Sequence, residues 1–372
     1  MNTHLNTDLS NYKRAFMITD THIGVRNSSA EWLQITREYF KDFFIPLLKK
    51  EKKAGDFLIH LGDVFDSRHS LNLFAMNLAL EIFEEIAQIM PIVIILGNHD
   101  IAKKLSNDVN SVKILKWIPN IKVIEEPEVL NISGKKLLMM PWRSSHVEEL
   151  ECIKSNPADF MFCHTEMQGL KFNKNTTIET GLDFNEIKAF RKVYAGHIHF
   201  AQKKDNFRML GCPYPMTRSD INNEKGIWRL DLESEEETYF PNTVSPKFVR
   251  MLFENVLELD EKDAKEKFRN NFVDILVDPK WSLNFPFSAF IEDMKGFRRL
   301  DFIPKMTDVD EDGIETDNET NAQLEQIDII ELSKRIIYNT NHTDKIKDNL
   351  IKTVKTLYDR VQKSKETNVE DL

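Results

Sequence analysis

The sequence predicts an α/β fold whose functional residues gather along one edge of the sheets. Three observations predict it. Short apolar runs alternate with stretches of helical periodicity over the first hundred residues. Five such runs end in clusters of Asp, His or Asn. Apolar residues make up 41% of the 372-residue chain, with 25 Phe and 5 Trp, so a sizeable core is available and wholesale disorder is excluded.

The elements follow in order. Arg14–Ile18 runs into Asp20-Thr21-His22, Phe57–Leu61 into Gly62-Asp63-Val64-Phe65-Asp66, and Ile92–Leu96 into Gly97-Asn98-His99-Asp100. Phe160–Cys163 runs into His164, and Val193–Ala195 into Gly196-His197-Ile198-His199. All five read as buried strands followed by loops. Trp32, Ile35, Tyr39, Phe43 and Leu47 mark a helix that Pro46 is expected to end or kink. Leu71, Phe74, Leu78, Ile82 and Ile86 mark a second, and Pro91 opens the next strand. Segments 207–211, 226–232 and 237–240 read as strands of a second, more antiparallel sheet.

A smaller unit is expected over 246–305, after a main domain of 1–245. Its strands are Phe248–Phe253 and Phe272–Val277, with helices over Glu261–Arg269 and Ser288–Met294. An acidic linker follows at 306–325. A helical segment over 326–372 has one apolar face of Ile346, Leu350, Val354, Leu357 and Val361.

Composition excludes several classes. Cys152, Cys163 and Cys212 form no CxxC, which argues against a disulfide framework or thiolate zinc site and for a reducing, cytoplasmic setting. No aliphatic run exceeds Ile92–Leu96, so no membrane span is expected, and the first fifteen residues lack the apolar stretch of a signal peptide. The net charge of −10 argues against holding nucleic acid by bulk charge. Residues 306–328, however, carry nine carboxylates and no Lys or Arg, so nearly all of that charge belongs to the linker and its edge. The same stretch matches an EF-hand pattern from Asp308 to Glu319, but Pro304 interrupts an entering helix and Glu315 stands where an aliphatic residue is usual. It reads as solvated linker.

Ligands of α/β sheets sit beyond the carboxyl ends of strands. That edge offers Asp20, His22, Asp63, Asn98, His164, His197 and His199. Seven N/O ligands are too many for one ion with open positions and suit two ions sharing a carboxylate. The donor set suits Mn²⁺, Fe²⁺ or Zn²⁺ better than Ca²⁺. A lone GHxH, an isolated Asp-x-His cap or a Gly-Asn turn would each be unremarkable. Their order and common placement at strand ends are not.

The set DxH, GDxxD, GNHD, a later His and GHxH resembles the signature of the calcineurin-like metallophosphoesterases, over residues 14–200. The resemblance implies a four-layer α/β/β/α sandwich. It implies that Asp20, His22 and His199 hold one metal, that Asn98, His164 and His197 hold the other, and that Asp63 bridges. His99 would be catalytic, facing the phosphate. The expected cofactors are two divalent ions, Mn²⁺ first, with Mg²⁺, Fe²⁺ or Zn²⁺ as alternatives.

Within that family, Ile18-Thr19-Asp20-Thr21-His22-Ile23-Gly24, the Leu61–Asp66 stretch and Met209–Pro215 are similar to the nuclease subunits of SbcCD-type double-strand-break repair complexes, and length and motif edges to phage recombination endonuclease subunits. That implies a two-metal DNA exonuclease/endonuclease, a homodimer, and an SMC-like ABC ATPase partner docked on the C-terminal helices. The chain has no GxxxxGK[ST] of its own. The rival readings are a stand-alone phosphodiesterase or phosphatase for small substrates, and an inactive scaffold. Arg26, Arg68, Lys103 and Arg218 are candidate phosphate contacts. Asp66 stands where many relatives have His, which leaves its role open; a hydrogen bond to a ligand histidine is one alternative.

Overall fold

The computed structural model describes residues 11–103, 106–173, 176–278, 296–304, 347–348 and 350–353. The chain divides into compact units Met1–Pro304 and Lys305–Leu372.

In the first unit, two six-stranded sheets lie face to face. The first runs in the order Glu237–Pro241, Gly226–Asp231, Arg14–Ile18, Asp56–His60, Ile92–Ile95, Ile121–Ile124. The second runs Gln202–Lys204, Phe207–Met209, Lys192–Gly196, Phe160–His164, Lys135–Met140, Glu128–Ile132. Strand alternation builds the layers. Ala15, Met17, Phe57 and Ile59 point inward onto Leu137, Phe160, Phe162 and Tyr194. Phe16, Ile18 and Leu58 point outward onto the helices of the first sheet. Met161, Cys163 and Val193 point outward toward Cys152 of the His146–Ser155 helix. The result is the expected α/β/β/α sandwich.

Three local expectations change. The first helix does not stop at Pro46. It runs from Ala30 to Glu51 through a π-helical turn at Tyr39–Phe44, and the wider turn carries the chain into Pro46 at the start of the next α-helical segment. The segments after His199 do not form one antiparallel sheet. Phe207–Met209 pairs parallel with Lys192–Gly196, whereas the antiparallel Gly226–Asp231 and Glu237–Pro241 extend the first sheet beside Arg14–Ile18. Finally, Phe74 leaves the apolar face of the Leu73–Ile89 helix and stays 74% exposed.

A three-stranded parallel sheet of Phe248–Leu252, Phe272–Val277 and Arg299–Pro304 follows, with helices Phe253–Leu257 and Glu261–Phe268. Phe272 stacks on Trp32 with centroids 5.4 Å apart, which seats the sheet on the first long helix. Arg218 adds a forked ion pair to Asp274 at 2.7 and 2.9 Å and reaches Asp301 at 2.6 Å. The expected helix over 288–294, the linker with its EF-hand pattern, and most of the C-terminal apolar face lie outside the described residues. In the second unit, 347–348 and 350–353 are helical. No helix among the described residues is long and apolar enough to cross a membrane.

Candidate metal centre

The five expected strands end at one edge, three from the first sheet and two from the second. Their loops bring all seven expected ligands and His99 together. Asp20, His22, Asp63, Asn98 and His164 are buried, and His99, His197 and His199 are half-buried. Asp20, His22, Asp63 and His197 all have positive φ, between 40° and 101°. Four left-handed non-glycine residues at one edge store strain that only a tightly determined site sustains.

The donors fall into two groups. His22 Nε2 lies 3.0 Å from His199 Nε2, and each is 3.9 Å from Asp20 Oδ1. Asn98 Oδ1 lies 3.0 Å from His164 Nε2 and 2.7 Å from His197 Nδ1. Asp63 Oδ2 stands between them, 3.6 Å from His22 Nε2 and 3.4 Å from His164 Nε2.

The donor chemistry fits divalent metal. His164 Nδ1 donates to the Leu61 carbonyl at 2.6 Å, so a neutral ring turns its Nε2 lone pair toward two oxygens. Lone pairs aimed at one another ask for a cation. The pKa directions agree. Burial opposes charge on His164, but Asp63 and Asp20 outweigh it and push the imidazole up to about 9. Burial likewise opposes charge on Asp63, yet His164 and His22 hold its carboxyl well below the usual range. Burial and neighbouring His22 push His199 down to about 4.

His99 occupies a different position. Its backbone N–H donates to Asp63 Oδ1 at 2.7 Å, and its Nδ1 lies 2.6 Å from the Asp66 carbonyl, which leaves Nε2 unused. Burial lowers its pKa. Asp66 faces His22 Nδ1 at 3.3 Å, the nearest partner of a buried nitrogen that otherwise makes no hydrogen bond. Cys163 turns away from the site, as strand alternation requires.

Several supporting residues were not anticipated. Asp100, last of the GNHD stretch, accepts from the backbone N–H groups of Asp63, Val64, Phe65 and Gly97 at 2.8–3.3 Å, and so ties two ligand loops together. Gly97 has no room for a side chain, because a Cβ there would strike Asp63. Trp142, following the Lys135–Met140 strand, packs against His197 with centroids 4.7 Å apart and the rings tilted by 33°. Tyr214 donates its hydroxyl to the Thr21 carbonyl, which gives the Met209–Pro215 stretch its place beside the first ligand loop. His60, by contrast, is expected from its place inside a strand to pack beside the site, and it does so as a neutral strut. Its Nδ1 accepts from Gly62 N–H, its Nε2 meets Thr21 Oγ1 at 3.0 Å, and burial pushes its pKa down to about 3. The clue to Asp100 is local: a short acid three residues after Gly97 is placed to bond back to that backbone. We expect Asp100→Asn to turn an amide NH₂ onto buried N–H donors and cost about 2–4 kcal/mol, read as a lower urea midpoint.

Among the candidate phosphate contacts, Arg26 donates to the Met216 carbonyl at 3.2 Å and is otherwise exposed. Arg68 and Lys103 lie beyond the GDxxD and GNHD loops. Arg218 is engaged by Asp274 and Asp301, and that pairing makes it a bridge to the small sheet.

An α/β/β/α sandwich with imidazoles, carboxylates and an amide converging at its strand ends is the frame of a metal-dependent hydrolase. Residues 13–201 match the calcineurin-like phosphoesterase model, and the chain belongs to that family, whose members bind divalent metals and hydrolyse phosphoester bonds. The chain is 30% identical to exonuclease subunit 1 of Enterobacteria phage T4, over 61% of this chain and 67% of that one. It is also similar to a solved archaeal phosphodiesterase, at 16% identity and a TM-score of 0.34, over 61% of this chain and 99% of that one.

Proposed function

We propose that this chain is the nuclease subunit of a DNA repair or recombination complex, hydrolysing phosphodiester bonds with two divalent ions, Mn²⁺ first. The observation that carries the reading is the pair of donor groups, Asp20/His22/His199 and Asn98/His164/His197, on either side of Asp63. The subunit name of the T4 relative supports a DNA substrate and a partner. That partner is an SMC-like ATPase, docked on the 326–372 segment beyond a catalytic region of 1–245 and a capping region of 246–305. A homodimer completes the assembly.

Ions held there would withdraw charge from the ester and supply hydroxide at neutral pH. The chain's own residues do the rest. Asp63 keeps the two donor groups in one electrostatic unit. His99 presents Nε2 to the phosphate, and its lowered pKa makes the protonated ring a readier donor to the leaving oxygen. Arg26, Arg68 and Lys103 are the candidates to meet neighbouring phosphates.

The test sets end-labelled duplex DNA beside a p-nitrophenyl phosphodiester. We expect hydrolysis of both with Mn²⁺, loss with chelator and recovery on adding the ion back. Cleavage of the small ester alone, even with the ATPase present, would sink the nuclease reading and favour the small-substrate enzyme.

A further inference from the structure

We propose that Glu166 is the positioning residue of His197, deciding which of its ring nitrogens faces the metal site; this rests on the reading of His197 as a ligand. Glu166 Oε1 lies 3.0 Å from His197 Nε2. A carboxylate only accepts, so in the neutral imidazole the proton stays on Nε2 and the lone pair is left on Nδ1. Nδ1 is the atom 2.7 Å from Asn98 Oδ1. Trp142 packs against the same ring, tilted by 33° at 4.7 Å between centroids, so the imidazole is held by an aromatic neighbour as well as by the carboxylate. His164 has its tautomer set by a backbone carbonyl, that of Leu61. For His197 the same task falls to a side chain.

Glu166 is itself held in place. Its Oε2 accepts from Thr180 Oγ1 at 3.1 Å, and its carbonyl accepts from Leu182 N–H at 3.0 Å. Gly181, at φ +96°, passes so close that a Cβ would come within 2.5 Å of that carbonyl oxygen. The connection between the two strands is rooted by Met167, Leu170, Ile178 and Leu182, all buried. The connection leaving the Phe160–His164 strand thus opens on a fixed carboxylate. The carboxylate sits directly behind the ring, where an acid orients a ligand imidazole.

Calorimetric titration of the full chain with Mn²⁺ tests this. Wild type should bind two ions. Glu166→Leu removes acceptor and charge and should weaken one of the two by about 10–100-fold, leaving the other near wild type. Glu166→Gln can still accept from Nε2 and should fall between. The paramagnetic resonance spectrum at two equivalents should show a coupled Mn²⁺ pair in wild type and lose it in Glu166→Leu. Should the leucine variant not fold, the glutamine variant carries the test. Two ions bound with wild-type affinity in both variants, or in Glu166→Gln alone if only that one folds, would overturn the role of Glu166. A wild type that binds fewer than two ions would instead overturn the ligand reading beneath it.

Discussion

Replacing Asp63 with Asn should lower turnover of any phosphodiester by at least about 10³-fold. The Asp63 carboxylate reaches both donor groups: Oδ2 stands 3.6 Å from His22 and 3.4 Å from His164, and Oδ1 takes the His99 N–H. Asparagine keeps the volume and one acceptor but removes the charge. The carboxylate is held ionised against its own burial by those imidazoles, so the site depends on the charge and not on shape alone. The loop should keep its course, because Asp100 grips the Asp63 backbone N–H from behind. Rate measurements on the p-nitrophenyl ester at saturating Mn²⁺, with calorimetric counting of bound ions, check this. We expect both ions to bind more weakly and the urea midpoint of the metal-free protein to fall, because the buried imidazoles lose their counter-charge. Turnover above a tenth of wild type would remove Asp63 from the centre of the site.

The parts legible in sequence were those where local pattern and chemistry coincide. Each of the five strands is an apolar run that stops at a polar cluster, and side-chain alternation then settles which face each residue takes, as Cys163 illustrates. What sequence could not give was the partition of strands between sheets. Gly226–Asp231 reads as a strand from its own residues, but its partner, Arg14–Ile18, lies more than two hundred residues away, and nothing local distinguishes that neighbour from another. The π turn at Tyr39–Phe44 hides for a similar reason, since Pro46 carries the same local signal whether a helix stops or widens around it. Residues that act through others were the least legible. Asp100, Glu166 and Trp142 carry no ligand spacing, and their roles exist only once the loops they brace are folded. Arg218 shows the converse. A cation near the ligand edge looked available for phosphate until the fold supplied Asp274, a buried acid from the small sheet.

His99→Ala should separate proton donation from metal binding. We expect the variant to lose about 10²–10⁴-fold in cleavage of DNA, the range over which a positioned acid acts. The p-nitrophenyl ester should suffer much less, because p-nitrophenolate leaves without a proton whereas a sugar alkoxide does not. Metal content by elemental analysis should stay at the wild-type value. The geometry makes that outcome informative, since His22, Asp63 and His99 also lie close enough to hold an ion among themselves. We propose the proton side of that choice for His99. Its Nδ1 is committed to the Asp66 carbonyl, and burial lowers its pKa, while an incoming phosphate anion would favour the protonated ring that donation needs. A ligand removed would cost both substrates alike and take an ion with it. Equal losses on DNA and on the small ester, together with a missing ion, would therefore make His99 a ligand and leave the leaving oxygen to find its proton from water.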